Sequence, residues 1–235
     1  MSTAGHGFNI LSAMTKTLIT MVCYAFVDDT DVIQSACDVN QKGEAVVPLM
    51  QEAVDRWEGG LRATGGALVP SKSHWYLIDF KWTGKKWKYR KIDEMPGELS
   101  ILDTHGQRVT LDRHDPQVAT ETLGIWQAMD GNNTAEIAKL RKKTDEFAEC
   151  MRTGFLSKND AWYAINTTIM KTLEYPMIAT TISEQDWEHI MVPLLAAGLP
   201  RAGIARNFPR DVLFGPTTVQ GFGVMHPWYH QQLVH

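Results

Sequence analysis

Cysteine is scarce in this chain. Its three residues in 235, Cys23, Cys37 and Cys150, are odd in number and lack the close spacing of metal ligands. That argues against a disulfide framework or a cysteine-built zinc site and points to a reducing, intracellular compartment. Long apolar runs are missing as well. The stretch 8–27 is broken by Asn9, Ser12, Thr15, Lys16, Thr17 and Thr20, which is too polar for a bilayer core, so no membrane partner is expected. A basic excess is also lacking: 23 Lys and Arg against 27 Asp and Glu leave a formal charge of −4. A polyanion-binding protein with that balance has to gather its cations in a groove. The eight histidines form no ligand spacing. What remains is ample for folding. A hydrophobic fraction of 44% with 21% charged residues argues against disorder. The length allows a substantial core in one domain or two small ones.

The most informative segment is Phe26-Val27-Asp28-Asp29, directly after the apolar run Ile19-Thr20-Met21-Val22-Cys23-Tyr24-Ala25. A strand ending in a tight turn, with Val32 and Ile33 opening the return strand, places two acids at a hairpin tip. Adjacent carboxylates call for a counter-charge, and hard divalent cations such as Mg²⁺ prefer such oxygen ligands. A plain polar turn is the alternative, since Asp favours turns for its local backbone hydrogen bonds. Asp31 reads as a solvated turn acid.

Further along, Val47, Met50, Val54, Trp57 and Leu61 recur at steps of three and four, the stripe of an amphipathic helix, with Gln51, Glu52, Asp55, Arg56 and Glu58 facing elsewhere. Gly65-Gly66 ends it. Ala67-Leu68-Val69-Pro70-Ser71-Lys72-Ser73 follows, then the strand formers Trp75-Tyr76-Leu77-Ile78. Thr83-Gly84-Lys85-Lys86 makes a hairpin turn towards Trp87-Lys88-Tyr89-Arg90. Short strands and loops then lead to Thr122-Leu123-Gly124-Ile125.

This order resembles the palm of a reverse transcriptase, an RNA-directed DNA polymerase, and is most similar to those of non-LTR retroelements (retrotransposons). The shared pattern is an aromatic-x-Asp-Asp hairpin, a helix, Gly-x-x-Leu-x-Pro-x-Lys with a Lys-bearing strand, and a hydrophobic-Leu-Gly primer grip. It covers about residues 17 to 128. The resemblance implies a nucleotidyltransferase using two Mg²⁺ ions, or Mn²⁺ in their place, at Asp28 and Asp29. Its partners are a template-primer and a deoxynucleoside triphosphate. Phe26, where the family more often has Tyr, is implied to stack near the primer terminus, with Lys72 beside the departing pyrophosphate and Leu123-Gly124 against the primer backbone. The family carries another metal-binding Asp well upstream of the hairpin. Only 25 residues precede Phe26, and residues 1–16 contain no Asp or Glu. A truncated palm, inactive by itself, is therefore expected.

After Asp130-Gly131-Asn132 the period becomes helical. Ile137, Leu140, Phe147 and Met151 share one face, with Thr144 in the gap. Ser157 begins a second helix that runs to Pro176. Ser183 begins a third, with Gly198 as its stop and Pro193 as a kink or new start. The expected architecture is α+β: a partial palm over 1–128, then a helical thumb- or connection-like region over 129–235. Arg201, Arg206 and Arg210 are candidates for holding nucleic-acid phosphates, whereas Lys139, Arg141, Lys142 and Lys143, mixed with Glu136 and Asp145, read as a solvated face. For the tryptophans, core packing is the better explanation. Two further readings stay open: a non-catalytic nucleic-acid-binding remnant, and an inert fragment of a decayed element.

Overall fold

The computed structural model describes residues 8–11, 16, 18–21, 23–26, 29–36 and 42–235. It is a mixed α and β protein of small sheets and helices, in two compact units, 1–118 and 119–235. The boundary falls ahead of residue 128, so the Leu123-Gly124 segment belongs with the helices that follow it.

In the first unit, β1 (Phe8–Leu11) pairs antiparallel with β2 (Leu18–Met21), and β3 (Cys23–Phe26) with β4 (Asp29–Val32). Helix α1 (Val46–Ala63) follows. Its Val47 and Val54 enter a core with Trp75, Leu99, Ile101 and Leu111, and Met50 packs alongside. Strand β5 (His74–Tyr76) lies next, followed by the hairpin β6 (Phe80–Thr83) and β7 (Lys86–Tyr89). A second hairpin joins β8 (Ser100–Leu102) to β9 (Arg108–Thr110), and β10 (Asp112–His114) pairs parallel with β5.

Two α1 residues that the apolar pattern places on the outer face turn inward. Glu58 is 3% exposed and accepts the Leu102 N–H at 2.8 Å. The Gln51 amide donates to the Ser100 carbonyl at 2.8 Å and accepts the Ser100 N–H at 2.9 Å. The open edge of β8 thus finds its partners in helix side chains, as buried backbone groups require.

In the second unit, β11 (Thr120–Thr122) and β12 (Ile125–Gln127) form a hairpin ahead of α2 (Thr134–Thr153). Helix α3 (Lys158–Ala164) continues through one π turn, Ile165–Ile169, into α4 (Met170–Glu174). Helix α5 (Glu184–Arg201) packs along α2, and the short α6 (Arg210–Phe214) and α7 (Pro227–Val234) complete the unit. Ser157 and Ser183 cap their helices, accepting the N–H groups of Asp160 and Asp186 at 3.2 Å each. The core runs from Leu140 and Met151 through Ile165, Leu173 and Met177 to Trp187, Ile190 and Leu194. Buried Gln231 closes it. Its Oε1 accepts from the Ile182 N–H and the Trp187 Nε1–H at 3.1 Å each.

Neither the expected stop at Gly198 nor a new start at Pro193 occurs. The helix runs through Pro193 and past Gly198 to Arg201. Gly198 is instead a packing residue, because a Cβ there would stand 2.9 Å from Ile165 Cδ1. The tryptophans divide. Trp75 and Trp187 are core residues, whereas Trp82 and Trp87 are exposed, against the expectation of core packing.

Candidate functional site

The acidic segment lies at a hairpin, but the return strand begins at Asp29 and ends at Val32 instead of opening at Val32, so Asp31 sits within the strand and not in the turn. Strands β3 and β4 are antiparallel and close on the pair Phe26 and Asp29. Asp28, the proposed ligand, lies outside the described residues, as do the side chains of Phe26 and Asp29. Two neighbouring carboxylates would supply hard oxygen donors that fit Mg²⁺ chemically. Among the described residues, no group of three or more His, Cys, Asp or Glu side chains is placed to hold a metal ion.

Asp31, on the return strand, is exposed. Its charge is felt at His74 on β5, where two effects outweigh it: the cover of packed neighbours and the charge of His114 hold the His74 imidazole below its ordinary pKa. The two imidazoles stack with centroids 4.9 Å apart, and the Tyr76 ring meets the His74 ring edge-on at 5.5 Å.

Lys72 does not lie within a strand. It ends the 3₁₀ turn Pro70–Lys72, just before β5, and is exposed with no ion-pair partner among the described residues. Pro70 explains the turn: its fixed φ and missing N–H suit the first position of a helical turn. The ammonium group is therefore free for an anion.

Leu123 and Gly124 form the two-residue connection between β11 and β12. Both are left-handed, with φ of 50° and 78°. That conformation matches the right-handed twist of the paired strands. Glycine adopts it without strain; a leucine there costs about 1–2 kcal/mol. A Cβ on Gly124 would meet nothing within 4 Å, so the space above the turn is open to an approaching backbone.

Side chains hold this turn in place. The Tyr175 hydroxyl donates to the Leu123 carbonyl at 2.7 Å, and the Lys139 ammonium donates to the Gly124 carbonyl. Lys139 also lies 3.4 Å from Glu121 and 3.5 Å from Glu136. Glu136, 1% exposed, accepts the Trp126 N–H at 2.8 Å. Glu136 and Lys139, expected on a solvated face, are therefore the bolts between α2 and the hairpin. Glu136 lies in the first turn of α2, where the helix dipole favours an acid, and that position was its one signal in the sequence. Tyr175 carried none.

The three arginines separate. The Arg201 guanidinium donates to the Gly154 carbonyl, tying the end of α5 to the end of α2. Arg206 and Arg210 are exposed and line a groove of about 1340 Å³ with Lys171, His226, Phe214 and Glu188. Burial holds His226 below its ordinary pKa, against an upward pull from Glu184 and Glu188.

Comparison of the chain with protein-family models, curated proteins and solved structures found no match. Among the described residues, no helix is long and apolar enough to cross a membrane and no disulfide is present.

Proposed function

We propose that the chain is part of an RNA-directed DNA polymerase of the non-LTR retroelement type, contributing palm and thumb-like elements. One observation carries most weight. The strands flanking the acid pair form a hairpin closed by Phe26 and Asp29, with α1 and the Lys72 turn following in the order that such a palm uses. The left-handed Leu123-Gly124 turn, fixed to helices and open above, supports a primer-grip role.

The reaction is attack of a primer 3′-hydroxyl on the α-phosphorus of a deoxynucleoside triphosphate, with pyrophosphate leaving. Magnesium ions would supply charge stabilisation for the attacking and leaving oxygens. Asp28 and Asp29 would hold them, and Lys72 would neutralise or protonate the leaving pyrophosphate. The Leu123 and Gly124 backbone would position the primer strand, and Arg206 and Arg210 would hold duplex phosphates without sequence choice.

A two-metal centre needs another carboxylate besides this pair. The exposed guanidinium groups of Arg206 and Arg210 also fit a second reading, a non-catalytic nucleic-acid-binding remnant. Primer extension on an RNA template, with Mg²⁺ and all four dNTPs, tests both. It is run with the chain alone and with the chain joined to a fingers segment bearing the upstream Asp. Extension that disappears in Asp28→Asn supports the polymerase. Salt-sensitive template-primer binding without extension supports the remnant, and absence of both defeats the two readings together.

A further inference from the structure

We infer that the β6–β7 hairpin is a binding surface for single-stranded nucleic acid. The inference stands on the hairpin's own residues and needs nothing from the polymerase assignment. Cross-strand pairs Phe80–Tyr89 and Trp82–Trp87 place four aromatic rings on one face of the ribbon, with centroids 4.7 Å and 4.9 Å apart within the pairs. Such pairs stabilise a hairpin by themselves, but three of these four rings are exposed. Phe80, Trp82 and Trp87 are 47%, 58% and 66% exposed.

Charge points to the occupant. Residues 80–91 contain six cations, Lys81, Lys85, Lys86, Lys88, Arg90 and Lys91, and no acid. Lys81 is paired with Glu94 and Arg90 with Asp79, and Asp93 is exposed nearby. Lys85, Lys86 and Lys88 are exposed and have no ion-pair partner among the described residues. The pleat sends Lys86 and Lys88 to the face opposite the rings and Lys85 lies in the turn, so in a chain whose net charge is −4 the ribbon concentrates positive charge on its back and tip, with bare aromatic rings on its front. Bases stack on such rings whatever their identity, while lysines hold the phosphates.

Base stacking favours an extended strand over a duplex. The two aromatic rungs are two residues apart, about 7 Å along the ribbon, and each can take an unpaired base. In a duplex the base faces are already covered by their neighbours. A membrane surface fits less well. The tip carries Gly84, Lys85 and Lys86 where an inserting hairpin would carry apolar side chains, and the rings lie on the flank.

The test is fluorescence anisotropy of the full chain with a labelled oligo-dT or oligo-U strand and with a blunt duplex of equal length, across a salt series. Trp82→Ala with Trp87→Ala should weaken strand binding about tenfold or more and leave duplex affinity unchanged. Because those rings also hold the hairpin together, Lys85→Gln/Lys86→Gln/Lys88→Gln provides an independent arm that leaves every ring in place. It should flatten the log–log salt dependence for the strand by about two. Strand affinity and salt slope unchanged in the lysine variant would overturn the proposal. So would equal losses for strand and duplex, or binding only to vesicles of phosphatidylserine and phosphatidylcholine. Primer extension is not read in this assay, so the two proposals fail separately.

Discussion

The Tyr175 hydroxyl donates to the carbonyl oxygen of Leu123 at 2.7 Å, and Leu123 holds a left-handed backbone with φ of 50°. A residue that dislikes its conformation is thus fixed by a side chain from a different element. Leu123→Asn should raise stability, by up to about 1 kcal/mol, because Asn tolerates that region far better. Tyr175→Phe should lower it by about 0.5–1.5 kcal/mol. Urea unfolding of both variants checks the pair. A less stable Leu123→Asn would mean that the leucine side chain contributes more than its backbone costs.

Glu136 gives a sharper expectation, since its carboxylate is buried and accepts the Trp126 N–H. Glu136→Ala leaves that donor without a partner and should cost about 1–3 kcal/mol. Glu146→Ala, on the exposed face of the same helix, should cost little, as surface ion pairs do. Equal effects in chemical denaturation would contradict the role given to Glu136.

The arginines should part company in experiment. Arg201→Gln removes the tie to the Gly154 carbonyl and should lower stability by about 1–2 kcal/mol with duplex affinity intact. Arg206→Glu with Arg210→Glu should do the reverse: unchanged unfolding and weaker, less salt-dependent duplex binding. Thermal melts and a salt titration of binding, run side by side, separate the two outcomes.

Acid should loosen the fold through its histidines. His74 and His226 both lie below the ordinary value of 6.5 in the folded state. The unfolded chain therefore binds their protons more readily, so their contribution is complete above that value and is lost as pH falls below it. Urea midpoints should drop between about pH 7.5 and about pH 5.5. The drop should be smaller in His226→Phe, which removes one of the two groups. A midpoint that rises on acidification would reverse the sign argued here.

The sequence made its local rules visible. The Val47 and Val54 stripe, the Ser157 and Ser183 caps, and the turn around Gly84 all depend on neighbours within a few positions. Glu58 was harder, because its partner Leu102 is 44 residues away. A polar side chain on a helix reads as solvated until a distant strand edge is known to need it. The same distance hid Tyr175, which is 52 residues from Leu123. Pro193 left two outcomes open, and the helix continues through it because a proline removes only one helical hydrogen bond and the buried side chains around it outweigh that loss.

The π turn at Ile165–Ile169 has an effect well beyond its own five residues. A wider turn takes up one residue more than a regular one, so the residues after it keep the faces they would have if that residue were absent. Shortening the segment by a single threonine, Thr167 or Thr168, would restore a regular spiral and leave Leu173 in the core and Tyr175 at its carbonyl. Closing the bulge at full length would instead rotate the following helix by roughly a quarter of a revolution and carry both away. The bulge is thus the timing element that lets this length of chain serve a loop far upstream.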